Sequence, residues 1–168
     1  MKIYLASSWR NNKQPEVVEA LRNEGHEVYD FRNPEPGNHG FHWSDIDQKW
    51  KNWSKEEFRS ALFHPVAEKG FGLDMKSLME CDVCVLVGPC GRSAHLEAGY
   101  AVGAGKITYI LADEGEEPEL MYRMAEVFTS LDEVISNLRD EEKKRKATIQ
   151  DLQNELSSLG LSSGENHA

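Results

Sequence analysis

The stretch KIYLASSWRNNKQPEVVEALRNEGHEVYDF, residues 2–31, decides the fold class. It opens with a short apolar run, passes through a polar loop, and then places apolar residues at Val17, Val18 and Leu21, the spacing of an amphipathic helix. Gly25 marks the end of this helix, and HEVYDF has the character of a second strand. The order strand, helix, strand predicts a βαβ unit with parallel strands and a right-handed crossover.

The same alternation continues along the rest of the chain. A buried strand is predicted over residues 82–88 (DVCVLVG), a helix over 93–105 and a fourth strand over 107–112. A further helix is predicted over 118–127 (PELMYRMAEV). Alternating strands and helices predict the α/β class with a doubly wound parallel sheet.

Ligands of such sheets bind outside the carboxyl ends of the strands, at the point where the strand order reverses. Here those ends correspond to residues 7–10, 88–93 and 113–118. The second of these loops contains glycines and leads directly into a helix. Free backbone N–H groups and a hydroxyl at a helix start favour an anionic or oxygen-rich ligand.

Two carboxylates lie near this predicted crevice. Glu97 is about one turn into the helix after the third strand, and Asp74 on the preceding helix could approach it. Paired carboxylates suit glycosidic chemistry, in which one acts as nucleophile while another group manages the proton. The alternative is that Glu97 simply faces water, as most helical glutamates do. His95, two residues before Glu97, is expected to face elsewhere.

Residues 32–53 form a long irregular segment that is rich in aromatic residues. Such segments are functional or disordered, and the aromatic content argues against disorder. Phe41, Trp43 and Trp50, together with Trp9, are candidates for a lid or wall on which a flat ligand stacks. A loop that only packs on its own tryptophans is an equally good interpretation.

The composition of the chain limits the classes of partner and the cellular compartment that we expect. The chain of 168 residues has 19 Lys and Arg against 29 Asp and Glu, a formal net charge of -10. This charge disfavours nucleic acid or an anionic membrane as a partner and favours a small molecule or another protein. No apolar run is long enough for a membrane span or a signal peptide, so we expect a cytoplasmic protein.

The cysteines and histidines predict neither a metal site nor a cofactor. Cys81 and Cys84 have CxxC spacing but belong to an apolar strand, where free cysteine behaves as a small hydrophobe. His39 and His42 share one loop without the spacing of a metal site. We expect no metal and no cofactor.

We predict one domain over residues 1–139, followed over 140–168 by a helical extension and a disordered tail (SSGENHA). Ile149, Leu152 and Leu156 continue a heptad-like seam, but two heptads do not establish a coiled coil. A helix that packs on a partner subunit and a solvated helix remain open.

Taken as a set, four motifs resemble the nucleoside 2-deoxyribosyltransferase superfamily, which includes nucleoside 5′-monophosphate N-glycosidases. IYLASSW resembles the family's first strand, and LDMKSLMECDVCVLVG its aspartate followed by an apolar strand. HLEAGYAVGAGK resembles the helix that carries the nucleophilic glutamate. PELM resembles the segment that reaches the active site of a neighbouring subunit.

The resemblance implies a flavodoxin-like fold, a parallel sheet of about five strands with helices on both faces, and a homodimer or larger homo-oligomer. It also implies an enzyme of nucleotide metabolism or nucleoside salvage. Glu97 corresponds to the nucleophile that attacks C1′ of a (deoxy)ribose. Asp74 corresponds to the group that orients or protonates the base, and Tyr4 to the tyrosine that holds the nucleophile. Residues 1–139 thus become the transferase-like domain.

The sequence differs from the transferases at one position, and its residues give opposing indications about the 5′ group of the substrate. Gly91 stands where transferases carry a sugar-binding aspartate, whereas Ser8 and Arg10 match the phosphate-binding pair of the monophosphate hydrolases. Glu119 would accept from a 5′ hydroxyl and repel a 5′ phosphate. The predicted substrate-binding residues are Ser7, Ser8, Trp9, Arg10, Gly88, Gly91, Arg92, Ser93, Glu119 and Met121.

Three functions follow. The first is cleavage of the N-glycosidic bond of a nucleoside or nucleotide, with transfer of the (deoxy)ribosyl group to another base or to water. The second restricts the reaction to hydrolysis of a nucleoside 5′-monophosphate. The third is a nucleotide-sensing protein without turnover.

Overall fold

A computed structural model describes residues 1–159 of the chain. The predicted disordered tail, residues 162–168, lies outside the described residues. The described residues divide into two compact units, one over Met1–Leu131 and a second that begins at Asp132. The division predicted at residue 139 stays a prediction.

The first unit contains a five-stranded sheet in the order β2-β1-β3-β4-β5, in which every neighbouring pair is parallel. This confirms the predicted α/β, flavodoxin-like, doubly wound architecture with helices on both faces. The strands are β1 (Lys2–Ala6), β2 (Glu27–Tyr29), β3 (Val83–Val87), β4 (Ile107–Leu111) and β5 (Glu126–Phe128). The helices are α1 (Gln14–Asn23), α2 (Lys55–Ala61), α3 (Pro65–Glu80), α4 (Arg92–Gly103) and α5 (Leu131–Ser158), and short 3₁₀ turns cover Trp43–Asp45, Trp50–Asn52 and Leu120–Met124.

The core on one face of the sheet is built largely from small residues. Strand residues that alternate along β1, β3 and β4 point to this face, where α3 contributes Leu78. Helix α4 contributes Ala94, Ala98 and Ala101, whose short side chains let the helix lie close to the strands. Cys84 is fully buried in this core, as its apolar surroundings predict.

The opposite face of the sheet is covered through α1. Its buried residues are Val17, Val18 and Leu21, the three apolar positions from which the helix was predicted. The strand residues whose side chains point to this second face, such as Leu5 and Val85, are completely buried. Central strands buried on both faces are expected for a parallel sheet.

The helix predicted over residues 118–127 is wrong. The structure has a 3₁₀ turn over Leu120–Met124, followed by the edge strand β5, which pairs with β4. Apolar residues spaced like those of a helix mislead here, because backbone pairing with β4 outweighs the local pattern. The ring of Phe128 then packs edge-on against Tyr109, with 5.0 Å between ring centroids.

Helix α5 is continuous over 28 residues. Val134 and Leu138 are completely buried, whereas Ile149, Leu152 and Leu156 of the predicted seam are about half exposed. No helix among residues 1–159 has the length and apolar character needed to cross a membrane. A role of the seam in subunit contact stays a prediction.

The loop between β1 and α1 is fixed by a buried amide. Asn11 is 1% exposed, and its Nδ2 donates to the carbonyl oxygens of Gly88 at 2.8 Å and Val87 at 3.1 Å. The same nitrogen lies 3.0 Å from Oγ of Ser7, which itself donates to Val87 O at 2.9 Å. These bonds tie the carboxyl end of β1 to the carboxyl end of β3, where a ligand crevice is expected.

The outer part of the same loop is held by Arg32. Its Nη2 donates to the carbonyl oxygens of Ser8 at 3.0 Å, Trp9 at 3.1 Å and Asn11 at 2.8 Å. The guanidinium also lies 5.5 Å from the centroid of the Trp9 ring, in a cation–π contact. Arg32, which follows β2 in the chain, therefore helps to set the conformation of the first loop, which precedes β2.

We predict that Asn11→Ala lowers the free energy of unfolding by about 1–3 kcal/mol, because the buried carbonyl oxygen of Gly88 loses its hydrogen bond from Asn11. Asn12→Ala is the matched control, since Asn12 is exposed, and it should change stability by less than about 0.5 kcal/mol. Urea unfolding of the three proteins measures both effects. Equal effects of the two substitutions would contradict the anchoring role of Asn11.

Candidate active site

A cavity of about 1340 Å³ opens at the carboxyl ends of β1, β2 and β3. Its walls come from the first loop, the aromatic segment, α3 and the start of α4. Of the predicted site residues, it is lined by Ser7, Ser8, Trp9, Arg10, Asp74, Gly91, Arg92, Ser93 and Glu97. The structure thus brings together residues from four separate stretches of the sequence, at the edge of the sheet where ligands of this architecture bind.

Each of the two carboxylates at this cavity accepts a hydrogen bond from a tyrosine hydroxyl. Tyr4 is 1% exposed, lies beneath the cavity lining, and forms a side-chain hydrogen bond with Glu97. Oη of Tyr29 donates to Oδ1 of Asp74 at 2.7 Å. The two tyrosine rings stack with 5.3 Å between centroids and 15° between planes.

The position of Glu97 on α4 explains why it is half-buried. Glu97 lies three residues after Ala94 and four before Ala101, so it shares the helix face that packs on the sheet. A carboxylate on such a face loses much of its contact with water. A glutamate among core alanines was therefore the sequence signal for an acid that does not simply face solvent.

Burial controls the protonation of both carboxylates. Loss of water around Glu97, together with the nearby charge of Asp74, raises the pKa of Glu97 from 4.5 to about 7, although the hydrogen bond from Tyr4 opposes this. Burial also raises the pKa of Asp74, and the hydrogen bond from Tyr29 opposes it. The site therefore holds a glutamate that changes charge near neutral pH, a feature common at functional sites.

Two groups of predicted residues meet at the start of α4. Gly91 precedes the helix in an extended conformation, and Arg92 and Ser93 form its first turn. Both line the same cavity as Ser8 and Arg10 of the first loop. Guanidinium groups, hydroxyls and a helix N-terminus form a suitable environment for an anionic oxygen group.

Gly88, Glu119 and Met121 do not line the larger cavity. Gly88 is buried, and the Glu116 carboxylate lies so close to its Cα that a side chain at this position would collide with it. Glu119 and Met121 line a separate cavity of about 180 Å³ next to Tyr122. Their predicted contribution to the site of a neighbouring subunit stays a prediction.

The aromatic segment both lines the cavity and packs on itself. The Trp9 ring lies 4.1 Å from the His42 ring by centroids, and Phe41 packs edge-on against Trp43 at 4.7 Å. Trp43 also contacts Trp53 at 5.6 Å. The two interpretations of the segment are therefore compatible, and Trp9, Phe41, Trp43 and Trp50 all face the cavity.

Sequence reasoning missed several residues of this region. Tyr29 was assigned only to a strand, and Asn11 and Arg32 were assigned only to loops. The expectation that His95 faces elsewhere is wrong, because His95 lines the cavity and its Nε2 lies 2.9 Å from Oη of Tyr122. Helix spacing alone did not reveal that the cavity extends around the first turn of α4.

Among residues 1–159, the His, Cys, Asp and Glu side chains form no group of three or more that could hold a metal ion. Cys90 lies beside the cavity, and burial with nearby Glu116 and Glu97 raises the pKa of its thiol to about 12. A thiol with that pKa is protonated at neutral pH and is a poor nucleophile. The carboxylates are thus the strongest candidates for chemistry at this site.

The fold and the site define an α/β protein of flavodoxin-like architecture with a pair of half-buried carboxylates at the strand-order switch. No family model matches the chain, and no curated protein matches it. Its structure is similar to that of a 2-deoxyribosyltransferase from Bacillus psychrosaccharolyticus, with a TM-score of 0.51 and 22% identity over 80% of this chain and 90% of that one. It is also similar to a CMP N-glycosidase from Clostridium botulinum, with a TM-score of 0.44 and 19% identity over 83% and 99% of the two chains.

At 22% identity, the first similarity shows a shared fold and nothing about the activity of this chain. The resemblance predicted from the four sequence motifs is confirmed at the level of the fold. What the site does must be argued from its own residues.

We predict that Glu97→Gln stabilises the protein in a pH-dependent way. Below pH 4.5 Glu97 is protonated in both the folded and the unfolded state, so its ionisation does not change the free energy of unfolding there. Between pH 4.5 and about 7 Glu97 ionises mainly in the unfolded state, so the free energy of unfolding falls as the pH rises. Above this window the buried charge costs up to about 3 kcal/mol, which the neutral amide avoids.

The test is urea unfolding of wild type and Glu97→Gln from pH 5 to pH 8. The stability difference should grow in favour of the variant by about 1–3 kcal/mol across this range. Glu19→Gln, on an exposed position of α1, is the control and should show no such trend. A difference that is constant with pH would mean that Glu97 ionises normally in the folded state.

Proposed function

We propose that this protein is an enzyme that cleaves the N-glycosidic bond of a nucleoside or nucleotide, with Glu97 as nucleophile. The observation that carries the proposal is the pair of half-buried carboxylates, Glu97 and Asp74, each hydrogen-bonded to a tyrosine at one cavity. The four sequence motifs support the same chemistry. The cavity, at about 1340 Å³, is large enough to enclose such a substrate.

In the proposed reaction, one oxygen of ionised Glu97 forms a bond to C1′ while the bond from C1′ to the base nitrogen breaks. The electron pair of the broken bond leaves with the base, which takes up a proton from Asp74 or from solvent. Positive charge on the sugar ring is stabilised by the carboxylate beside it. Water or a second base then attacks C1′, the bond from C1′ to the Glu97 oxygen breaks, and the proton lost by the attacking group passes to Asp74 or to solvent.

Tyr4 would orient the nucleophile in this scheme. Its hydroxyl is bonded to Glu97, and burial with the charges of Glu97 and Asp74 raises the pKa of Tyr4 well above its ordinary value. Tyr4 therefore remains a hydrogen-bond donor and favours the ionised form of the nucleophile. Fixing one oxygen in this way leaves the other free to approach C1′.

The residues that line the cavity also bear on whether the substrate carries a phosphate at its 5′ position. Ser8, Arg10, Arg92 and Ser93 line the same cavity as Glu97. This arrangement favours hydrolysis of a nucleoside 5′-monophosphate as the specific form of the reaction. We also propose a cytoplasmic homo-oligomer in which residues 119–121 complete the site of a neighbouring subunit, and no partnership with nucleic acid or membrane.

We expect Glu97→Ala to reduce base release by at least about a thousandfold, because no other group replaces the nucleophile. Glu19→Ala is the control and should retain wild-type turnover. Chromatographic detection of free base from a panel of nucleosides and their monophosphates measures the rate. Near wild-type turnover of Glu97→Ala would contradict the proposal.

The same panel, run with and without an acceptor base, separates the three functions. Exchange of bases identifies a transferase, and release without exchange identifies a hydrolase. Thermal stabilisation by a nucleotide without turnover, unchanged in Glu97→Gln, identifies a sensor.

We predict that Arg10→Ala raises the Michaelis constant for a nucleoside monophosphate at least about tenfold, while that for the matching nucleoside changes less than about twofold, because the guanidinium pairs with phosphate only. Arg59→Ala, on exposed helix α2, is the matched control. Steady-state kinetics on both substrates provide the comparison. Equal effects on the two substrates would show that Arg10 does not meet a phosphate.

A further inference from the structure

Tyr29 lines the cavity and contacts both Asp74 and the tyrosine that is hydrogen-bonded to Glu97. Its Oη donates to Oδ1 of Asp74 at 2.7 Å, and its ring stacks on Tyr4, which bonds Glu97. Each carboxylate thus accepts a hydrogen bond from its own tyrosine, and the rings of the two tyrosines stack on each other.

The sheet itself fixes the position of this pair. Tyr4 and Tyr29 are register partners in the parallel pairing of β1 and β2, so their side chains leave the same face of adjacent strands. Tyr29 is the last residue of β2 and faces the crevice. A hydroxyl placed by a rigid strand has little freedom, which is what precise orientation of a reacting group requires.

We infer that Tyr29 is a positioning residue that acts through Asp74: its hydroxyl fixes the Asp74 carboxylate as a hydrogen-bond acceptor for an N–H group of the bound base. Its effect on turnover rests on the proposed function; its contact with Asp74 does not.

The chemistry of the two partners fixes the direction of the hydrogen bond. Burial and the hydrogen bond to Asp74 raise the pKa of Tyr29 well above the ordinary value, so the phenol stays protonated and donates. Donation to Asp74 favours the ionised carboxylate, which can only accept. Burial of Asp74 works against this ionisation and raises the pKa of Asp74. The charge of Asp74 in turn raises the pKa of Tyr4 and of Glu97, the titratable groups beside it.

An ionised Asp74 has lone pairs left after it accepts from Tyr29. A base that presents an N–H donor can satisfy them, whereas a base with only acceptor atoms at that edge would be repelled. The contact therefore selects orientation and base class together. It also favours base orientation over direct protonation as the role of Asp74.

A double-mutant cycle tests whether Tyr29 acts through Asp74. The rate constant kcat/KM for base release is measured for wild type, Tyr29→Phe, Asp74→Asn and the double variant. We expect Tyr29→Phe to lower kcat/KM about tenfold in the wild-type background and less than about twofold in the Asp74→Asn background. Independent, multiplicative losses would overturn the inference.

A titration tests the contact without turnover. The carboxyl carbon of Asp74 is followed by NMR in Glu97→Gln protein, which removes the coupled titration of Glu97. Adding Tyr29→Phe should move the Asp74 titration to higher pH, because the ionised form loses a donor. Tyr100→Phe, on an exposed position of α4, is the matched control and should not move it.

The two measurements separate failure of the inference from failure of the proposed function. An unchanged Asp74 titration in a protein that releases base would overturn the role of Tyr29 alone. A wild-type protein that releases no base would overturn the proposed function, and the titration would still decide the contact. Tyr29→Phe retains the stacked ring, and its unfolding midpoint verifies that the variant is folded.

Discussion

The partial burial of the Glu97 carboxylate is the constraint on which the rest of the site depends. A carboxylate on the sheet-facing side of a helix loses hydration, which together with the charge of Asp74 raises the pKa of Glu97 to about 7. The corresponding cost at higher pH, about 3 kcal/mol, is a large part of the stability of an ordinary domain, about 5–15 kcal/mol. Such a group persists only where the surrounding structure holds it in place, and Tyr4 provides that support.

The parallel sheet supplies the support without any special local conformation. Because β1 lies between β2 and β3, Tyr4 has Tyr29 on one side and the small Cys84 on the other. The register therefore creates both the tyrosine stack and the space beside it. Helices α3 and α4 then bring Asp74 and Glu97 over this row from the same face of the sheet. The two carboxylates approach each other because α3 and α4 both contact β1 and also contact each other.

The sequence predicted the parts of this arrangement that depend on local pattern. The βαβ unit of residues 2–31, the apolar third strand and the position of Glu97 were all visible as spacing. The roles of Tyr29 and Asn11 were not visible, because each depends on strand pairing or loop contacts between residues far apart in the chain. Residues 118–127 show the opposite failure, in which a helix-like local pattern yields to pairing with β4.

The charge of the cavity differs from the charge of the chain as a whole. The sequence carries a formal net charge of -10, yet Arg10, Arg92, Lys51 and Lys69 all line the cavity. An anionic ligand that approaches an acidic protein meets repulsion at long range, and salt screens that repulsion beyond about 10 Å. Within the cavity the guanidinium groups act at hydrogen-bond distance, where screening is weak. Under the proposed function, such a site would recognise the phosphate of the substrate by short-range contacts while the half-buried Glu97 acts on its sugar.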